Sequence, residues 1–218
     1  MTPASDLSRA DNTRARLLTA AVTAFAAKGY HATTTRDIAA AAGMSPAALY
    51  IHHKSKEELL YLIAVTGNRA VLSALRACAA RSDDPVTQLH EMVHSLAVNH
   101  ARDHTMAAVI NSQLEALTPE HFAEIRAIRR ETTAEVLSVI ERGVAVGVFD
   151  TPDPKMATTA LLSLSMDIAR WYRDEGRWTP EEIGDRYAEM ALRMLGATRP
   201  AADLLRSEMW SAGSGDAG

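Results

Sequence analysis

Residues 33–60 read TTTRDIAAAAGMSPAALYIHHKSKEELL, and the punctuation of that stretch decides the fold. Ser45-Pro46 is a helix start. The serine oxygen can accept a bond from an orphaned N–H of the first turn, and the proline has no N–H to lose at the next position. Gly43, just before it, suits the left-handed residue that closes a preceding helix. Ser55 followed by Glu58 is a capping box that opens another helix. The stretch therefore predicts two short helices, 35–42 and 46–52, joined by a turn through Gly43 and Met44. Helices of two turns do not stand alone. They must pack on the helix that begins at 56 and on an upstream helix over 11–28, which carries Leu17, Leu18, Val22 and Phe25 on one side. Three small helices with a tight turn between the second and third form the helix-turn-helix layout.

The same start signals recur downstream as Asp84-Pro85, Thr118-Pro119, Asp153-Pro154 and Thr179-Pro180, the last with Glu182 completing a capping box. With apolar residues at helical spacing they predict helices over 56–80, 85–102, 104–116, 119–146, 154–175 and 180–196. Gly29 and Gly196 fall at expected helix ends. Valine and isoleucine never build alternating runs. The 218-residue chain, 47% hydrophobic and 5% aromatic, is therefore expected to be all-α with about nine helices. The expected organisation is a disordered arm over 1–10 and a helix-turn-helix DNA-binding domain over 11–55. A second helical domain follows over 56–198, and a flexible tail over 199–218.

No stretch reaches the roughly 18 to 20 apolar residues that would span a bilayer, and the N-terminus lacks the apolar core of a signal peptide. The single cysteine, Cys78, allows no internal disulfide. A cytoplasmic protein with no membrane partner and no cofactor is expected. The net charge of −4 is unevenly spread. Residues 1–60 hold seven Lys/Arg against five Asp/Glu, or +2, while residues 61–218 hold sixteen against twenty-two, or −6. A mildly basic head on an acidic body is compatible with DNA binding by the head.

The pattern Thr34, Thr35, Ile38, Ala39, Gly43, Met44, Ser45, Leu49, Tyr50, His52, Lys54, Lys56, Glu58, Leu59 and Leu60 resembles the N-terminal domain of the TetR family of repressors. His53 departs from it, standing where the family usually has phenylalanine, and so does Ile51, often polar or aromatic in relatives. The second short helix would enter the major groove, with small Pro46, Ala47 and Ala48 allowing close approach and alanine methyls able to meet thymine methyls. Ser45 caps it and can bond a phosphate. Tyr50 and His52 are placed to reach phosphates or the groove wall. Thr34, Thr35 and Arg36 at one helix N-terminus and Lys56 at the next would attract phosphate.

The resemblance implies an operator-bound homodimer, with 56–198 as its ligand-binding and dimerisation domain, and an effector that changes the spacing of its two heads. The helix from 56 would be the lever. Expected pocket residues are Met92, Leu96, Met106, Val109, Ile110, Leu114, Phe122, Ile125 and Trp171, a methionine-rich apolar set. Expected dimer-interface residues are Leu161, Leu164, Ile168, Ile183, Tyr187, Met190 and Met194. The segment 168–189 resembles family members that control lipid, steroid or aromatic catabolism, several of which sense CoA thioesters. Arg170, Arg173 and Arg177 near Trp171 could serve CoA phosphates, or could simply pair with Asp167, Asp174 and Glu175.

His90-Glu91-Met92-Val93-His94 matches H-E-x-x-H, which on a helix aligns two imidazoles beside a glutamate as zinc hydrolases need. His100 and His104 repeat the spacing. The pattern is short, and no third-ligand motif follows it. No metal site and no catalytic residue is expected, although a metal-responsive repressor using His90, Glu91 and His94 stays as the alternative, with a helical zinc hydrolase behind it.

Overall fold

The computed structural model describes residues 3–197. Every regular element among them is helical: α1 (Pro3–Lys28), α2 (Thr35–Ala41), α3 (Pro46–His52), α4 (Lys56–Ala79), α5 (Pro85–Arg102), α6 (His104–Gln113), a 3-10 turn (Leu114–Ala116), α7 (Pro119–Ala145), α8 (Pro154–Trp171) and α9 (Pro180–Met194). The caps work as their side chains dictate. Ser45 accepts from the Ala48 N–H, Asp84 from Thr87, Asp153 from Met156, and Thr34 and Thr179 each form a reciprocal capping box. Gly29, Gly43 and Gly196 all have positive φ.

Three expected boundaries shift. The first helix starts at Pro3 rather than 11, so the chain is helical through most of the stretch expected as a disordered arm; a proline fits the first turn of a helix. The eighth helix ends at Trp171, not 175. Tyr172 turns extended (φ −61°, ψ 144°) and is itself buried, and Gly176 follows in a turn where a Cβ would sit 2.8 Å from the Arg173 carbonyl oxygen. The helix expected over 104–116 finishes as a 3-10 turn. The tail over 199–218 lies outside the described residues.

The chain divides into two compact units, one of residues 1–69 with 105–128 and the other of 70–104 with 129–218. In the first unit, Leu17, Ala21 and Phe25 of α1 pack with Ile38 and Ala39 of α2, Leu49 of α3 and Leu59 and Leu60 of α4, all of them buried. Gly43 (φ +65°) makes the turn between α2 and α3, and Arg16 of α1 donates from Nη2 to the Ala42 carbonyl at 2.7 Å, fixing that turn from behind. Glu57 of α4 accepts from the Thr118 N–H (3.0 Å) and pairs with His121 Nδ1 (2.8 Å), so an α4 carboxylate caps the start of α7. The Tyr61 ring stacks on His121 with centroids 3.7 Å apart, and its hydroxyl donates to Glu124 at 2.6 Å.

In the second unit α5 packs against α8 and α9. Leu89, Met92, Val93, Leu96, Val136, Ile140, Leu161 and Leu192 belong to one core, and Ala97, Ala101, Ile168, Tyr172 and Ile183 to a smaller one. A Cβ at Gly184 would lie 2.7 Å from Val98 Cγ2 and 2.8 Å from His94 Cδ2, so glycine sets how closely α9 approaches α5. Buried Gln88 donates from Nε2 to the Ala79 and Ser82 carbonyls and accepts from Arg142.

One expectation about membranes is corrected. α4 is long and apolar enough to cross a bilayer by length and composition. Its apolar residues have another use: Leu59, Leu60, Ile63, Ala64, Leu72, Leu75 and Cys78 are buried against neighbouring helices.

Candidate nucleic-acid interface and effector unit

Helix α3 is seven residues long and its two sides differ sharply. Leu49 is fully buried, and His53, the residue that caps its C-terminus, is 3% exposed. Ser45, Pro46, Ala47, Tyr50 and Ile51 are exposed, while Ala48 and His52 are half-buried. The outward side thus consists of small and apolar residues with one phenol.

Tyr50, 54% exposed, places its hydroxyl 3.1 Å from Thr35 Oγ1. This joins α3 to the first turn of α2. Arg36 is exposed on α2 and has no ion-pair partner among the described residues. Thr34 is exposed, but its hydroxyl is committed to Asp37 (2.7 Å), which also accepts from the Thr34 N–H (2.8 Å) and from Lys28 Nζ (2.9 Å). These bonds, first from Thr34 and then from Lys28, hold the Asp37 carboxyl far below the usual carboxylate range. An ionised carboxylate therefore sits in the first turn of α2, which weakens the case for Thr34 as a phosphate contact.

Lys56 departs furthest from its expected role. Its ammonium donates to the carbonyls of Tyr30 (2.9 Å), Thr33 (2.9 Å) and His31 (3.4 Å), and it sits 4.3 Å from the Tyr30 ring centroid. An ammonium has three donors, and here each has a carbonyl. The geometry makes Lys56 a clamp on the α1–α2 turn instead of a free cation for phosphate. Lys54, which the sequence reading passes over as a contact, is exposed, and its ammonium forms no ion pair among the described residues.

His53 carries both ring nitrogens into the core of the first unit without a hydrogen-bond partner. Burial lowers its pKa from the ordinary 6.5; Glu58 opposes this, and His52 and Arg14 add to it. The imidazole is therefore held neutral behind α3.

The effector-side expectations divide. Met92, Leu96, Val109, Ile110 and Ile125 are buried core residues, and Met106, Leu114, Phe122 and Trp171 are half-buried. In the second unit Met92 and Leu96 lie in the larger core, while Trp171 packs on the smaller one. Of the expected interface residues, Leu161, Ile168 and Ile183 are buried in the unit's own cores. Tyr187 is half-buried and packs against the core. Leu164 (45%), Met190 (46%) and Met194 (45%) are exposed apolar residues on α8 and α9, and Met156 adds a fourth.

The arginines near Trp171 are occupied. Arg170 forms a two-pronged pair with Asp167 (2.7 and 2.9 Å). Arg173 donates to the Tyr172 and Arg170 carbonyls, closing the C-terminus of α8. Arg177 lies over the Trp178 ring.

The H-E-x-x-H histidines do not converge with a third ligand: among the described residues no group of three His, Cys, Asp or Glu side chains could hold a metal ion. The His90 and His94 rings lie 6.4 Å apart and nearly parallel, and His94 Nε2 is 3.3 Å from Asp185. His100 and His104 turn their Nδ1 atoms to the Leu96 and Ala101 carbonyls.

Comparison with known proteins agrees with this layout. The family described as bacterial regulatory proteins, tetR family, matches residues 17–62, and a tetracyclin repressor-like C-terminal domain matches 82–195. The HTH-type transcriptional repressor KstR2 of Rhodococcus jostii is 30% identical over 192 residues, 87% of this chain and 94% of that protein. A bacterial regulatory protein of the tetR family from Rhodococcus RHA1 superposes with a TM-score of 0.81 at 42% identity, covering 86% of this chain and 98% of the other. AibR, in a complex with isovaleryl coenzyme A and operator DNA, shares the fold with a TM-score of 0.74 at 24% identity, over 82% and 97% of the two chains.

Proposed function

We propose that this chain, which belongs to the TetR family of bacterial transcriptional regulators, is a homodimeric repressor released from its operator by a hydrophobic catabolite, most simply an acyl-CoA. It would act in the cytoplasm, where the chromosome is. The observation that carries the DNA half is α3: Leu49 and His53 anchor one side, and the other side is left exposed without charge. A recognition helix needs that division. Arg36, Ser45, Pro46, Ala47, Tyr50 and Lys54 are the contacts this geometry favours. Thr35, Ala48 and His52 are half-buried and would contribute less, and Thr34 and Lys56 are spent on the fold.

The exposed apolar residues Leu164, Met190 and Met194 support a dimer through α8 and α9, since apolar side chains of this size gain by burial against a second copy. The effector half rests on relatives: KstR2 is named a repressor, and AibR is seen with isovaleryl coenzyme A. Within the first unit, Glu57 joins the head to the start of α7 through His121. A ligand that shifts α7 would thereby act on the helix that follows α3.

Thermal shift against a panel of acyl-CoAs, free fatty acids and steroids tests the effector, because a ligand that binds the folded state raises its melting point. An acyl-CoA is expected to raise Tm and to release the protein from DNA. Release by a stoichiometric metal ion, lost in His94→Ala, would instead establish the metal-responsive reading.

A further inference from the structure

We infer that Ile51 is a specificity-determining residue of the reading helix, which with Ala47 recognises the C5-methyl groups of thymine in the major groove. The inference rests on the reading of α3 as the DNA-facing helix and adds what that helix reads.

Ile51 is 79% exposed, the most exposed large apolar side chain among the described residues. A solitary exposed isoleucine elsewhere on a surface would need no explanation. Its position supplies one here. Leu49 and His53, four residues apart, are the buried side of the α3 segment. Ala47 and Ile51, also four apart, are offset from them by two residues, about half a turn at 3.6 residues per turn. Ile51 therefore points directly away from the core, one turn along from Ala47, on the side that faces the groove.

The chemistry of that side narrows what it can recognise. Pro46, Ala47, Ala48 and Ile51 have no side-chain donor or acceptor, so they cannot read the hydrogen-bonding edges of guanine, cytosine or adenine. Among the base edges in the major groove, thymine alone adds an apolar group, its methyl. Burying a methyl against isoleucine and alanine removes apolar surface from both sides. The bonding between Tyr50 and Thr35 keeps the neighbouring phenol tied to α2, leaving Ile51 the largest free side chain on the face.

The test uses the full-length protein and duplex DNA selected by it from a random pool, with affinities measured by fluorescence anisotropy. Wild type is expected to enrich thymine at fixed positions of each half-site. Replacing those thymines by deoxyuridine, which lacks the methyl, should weaken binding about fourfold per contacted methyl. Ile51→Ser should lose a similar factor on the thymine duplex and lose the deoxyuridine sensitivity of the thymine that Ile51 contacts, the signature of a coupled pair, while keeping the part owed to Ala47. Its melting temperature should match wild type, because the side chain is exposed. A 5-methylcytosine placed at the same position should restore binding relative to cytosine. Equal affinity of wild type for the thymine and deoxyuridine duplexes, or full deoxyuridine sensitivity retained in Ile51→Ser, would overturn the inference while leaving DNA binding by α3 intact. Failure to enrich any duplex even at low salt would overturn both.

Discussion

The Tyr50 hydroxyl lies 3.1 Å from Thr35 Oγ1 and ties the exposed side of α3 to the first turn of α2. The pair holds the two elements of the reading head in a fixed relation while leaving the phenol 54% exposed. Tyr50→Phe removes only the hydroxyl and is expected to weaken operator binding severalfold. Tyr50→Ala should weaken it tenfold or more. Because the bond is exposed, stability should fall by no more than about 1 kcal/mol in either variant. Anisotropy titration beside a thermal melt separates the two effects. A Tyr50→Ala protein with wild-type affinity would remove Tyr50 from the interface.

Lys56→Met is expected to act on stability before binding. It leaves the carbonyls of Tyr30, His31 and Thr33 without their ammonium. Bonds to a charged group in a partly exposed site are worth about 1 to 2 kcal/mol together, roughly 2 to 8 °C in Tm for a chain of this size. The salt dependence of operator binding should keep its slope, since a cation already held by carbonyls releases no counterion from DNA. A shallower slope with unchanged Tm would restore Lys56 as a phosphate contact.

His53 makes the head sensitive to acid. Its folded-state pKa is lowered by burial from the ordinary 6.5. The folded protein therefore binds this proton less readily than the unfolded chain does. The stability that goes with a neutral His53 is present above 6.5 and is lost as the pH falls below that value toward the folded-state pKa. His53→Phe removes a titrating group and two unpartnered buried nitrogens. It should raise stability by at least about 1 kcal/mol at neutral pH and by more at pH 5.5. Melts of both proteins across that range read the difference directly. A constant offset would mean that burial does not lower the His53 pKa.

His121→Ala breaks the pair with Glu57 and the stack with Tyr61. If α7 relays the effector signal, operator affinity should stay within about threefold of wild type, while the effector concentration needed for release rises at least tenfold. Unchanged release would place the relay elsewhere.

Leu164→Glu combined with Met190→Glu puts charge on the exposed apolar residues of α8 and α9. The variant should be monomeric by analytical ultracentrifugation and should lose operator affinity. Its melting should remain cooperative, because neither side chain is in the core. A dimer that persists would move the interface to another surface.

How far the sequence could be read follows from what local signals encode. Caps and turn glycines are local, so Ser45, Gly43 and Thr179 placed their helices to within a residue or two. The burial of Leu49 follows from helical spacing in the same way. Lys56 was misplaced because its partners come from a turn more than twenty residues upstream, and no spacing rule shows three carbonyls converging on one ammonium. The α8 residues expose another limit. Leu161, Leu164 and Ile168 are all apolar at helical spacing, yet Leu161 and Ile168 face the unit's own core while Leu164 faces outward. Periodicity finds the stripe; only packing divides it into core and surface. Tyr172–Glu175 likewise holds no helix breaker, yet α8 ends at Trp171 and Tyr172 turns extended and is buried.

Selection of genomic fragments by the purified protein tests whether α3 reads operator DNA. Enrichment is expected of a two-fold symmetric site whose half-sites lie about one DNA turn, roughly 34 to 36 Å, apart, bound tightly by wild type and at least tenfold more weakly by Tyr50→Ala. Weak binding that is equal for all fragments and for both proteins, and vanishes with moderate salt, would contradict it.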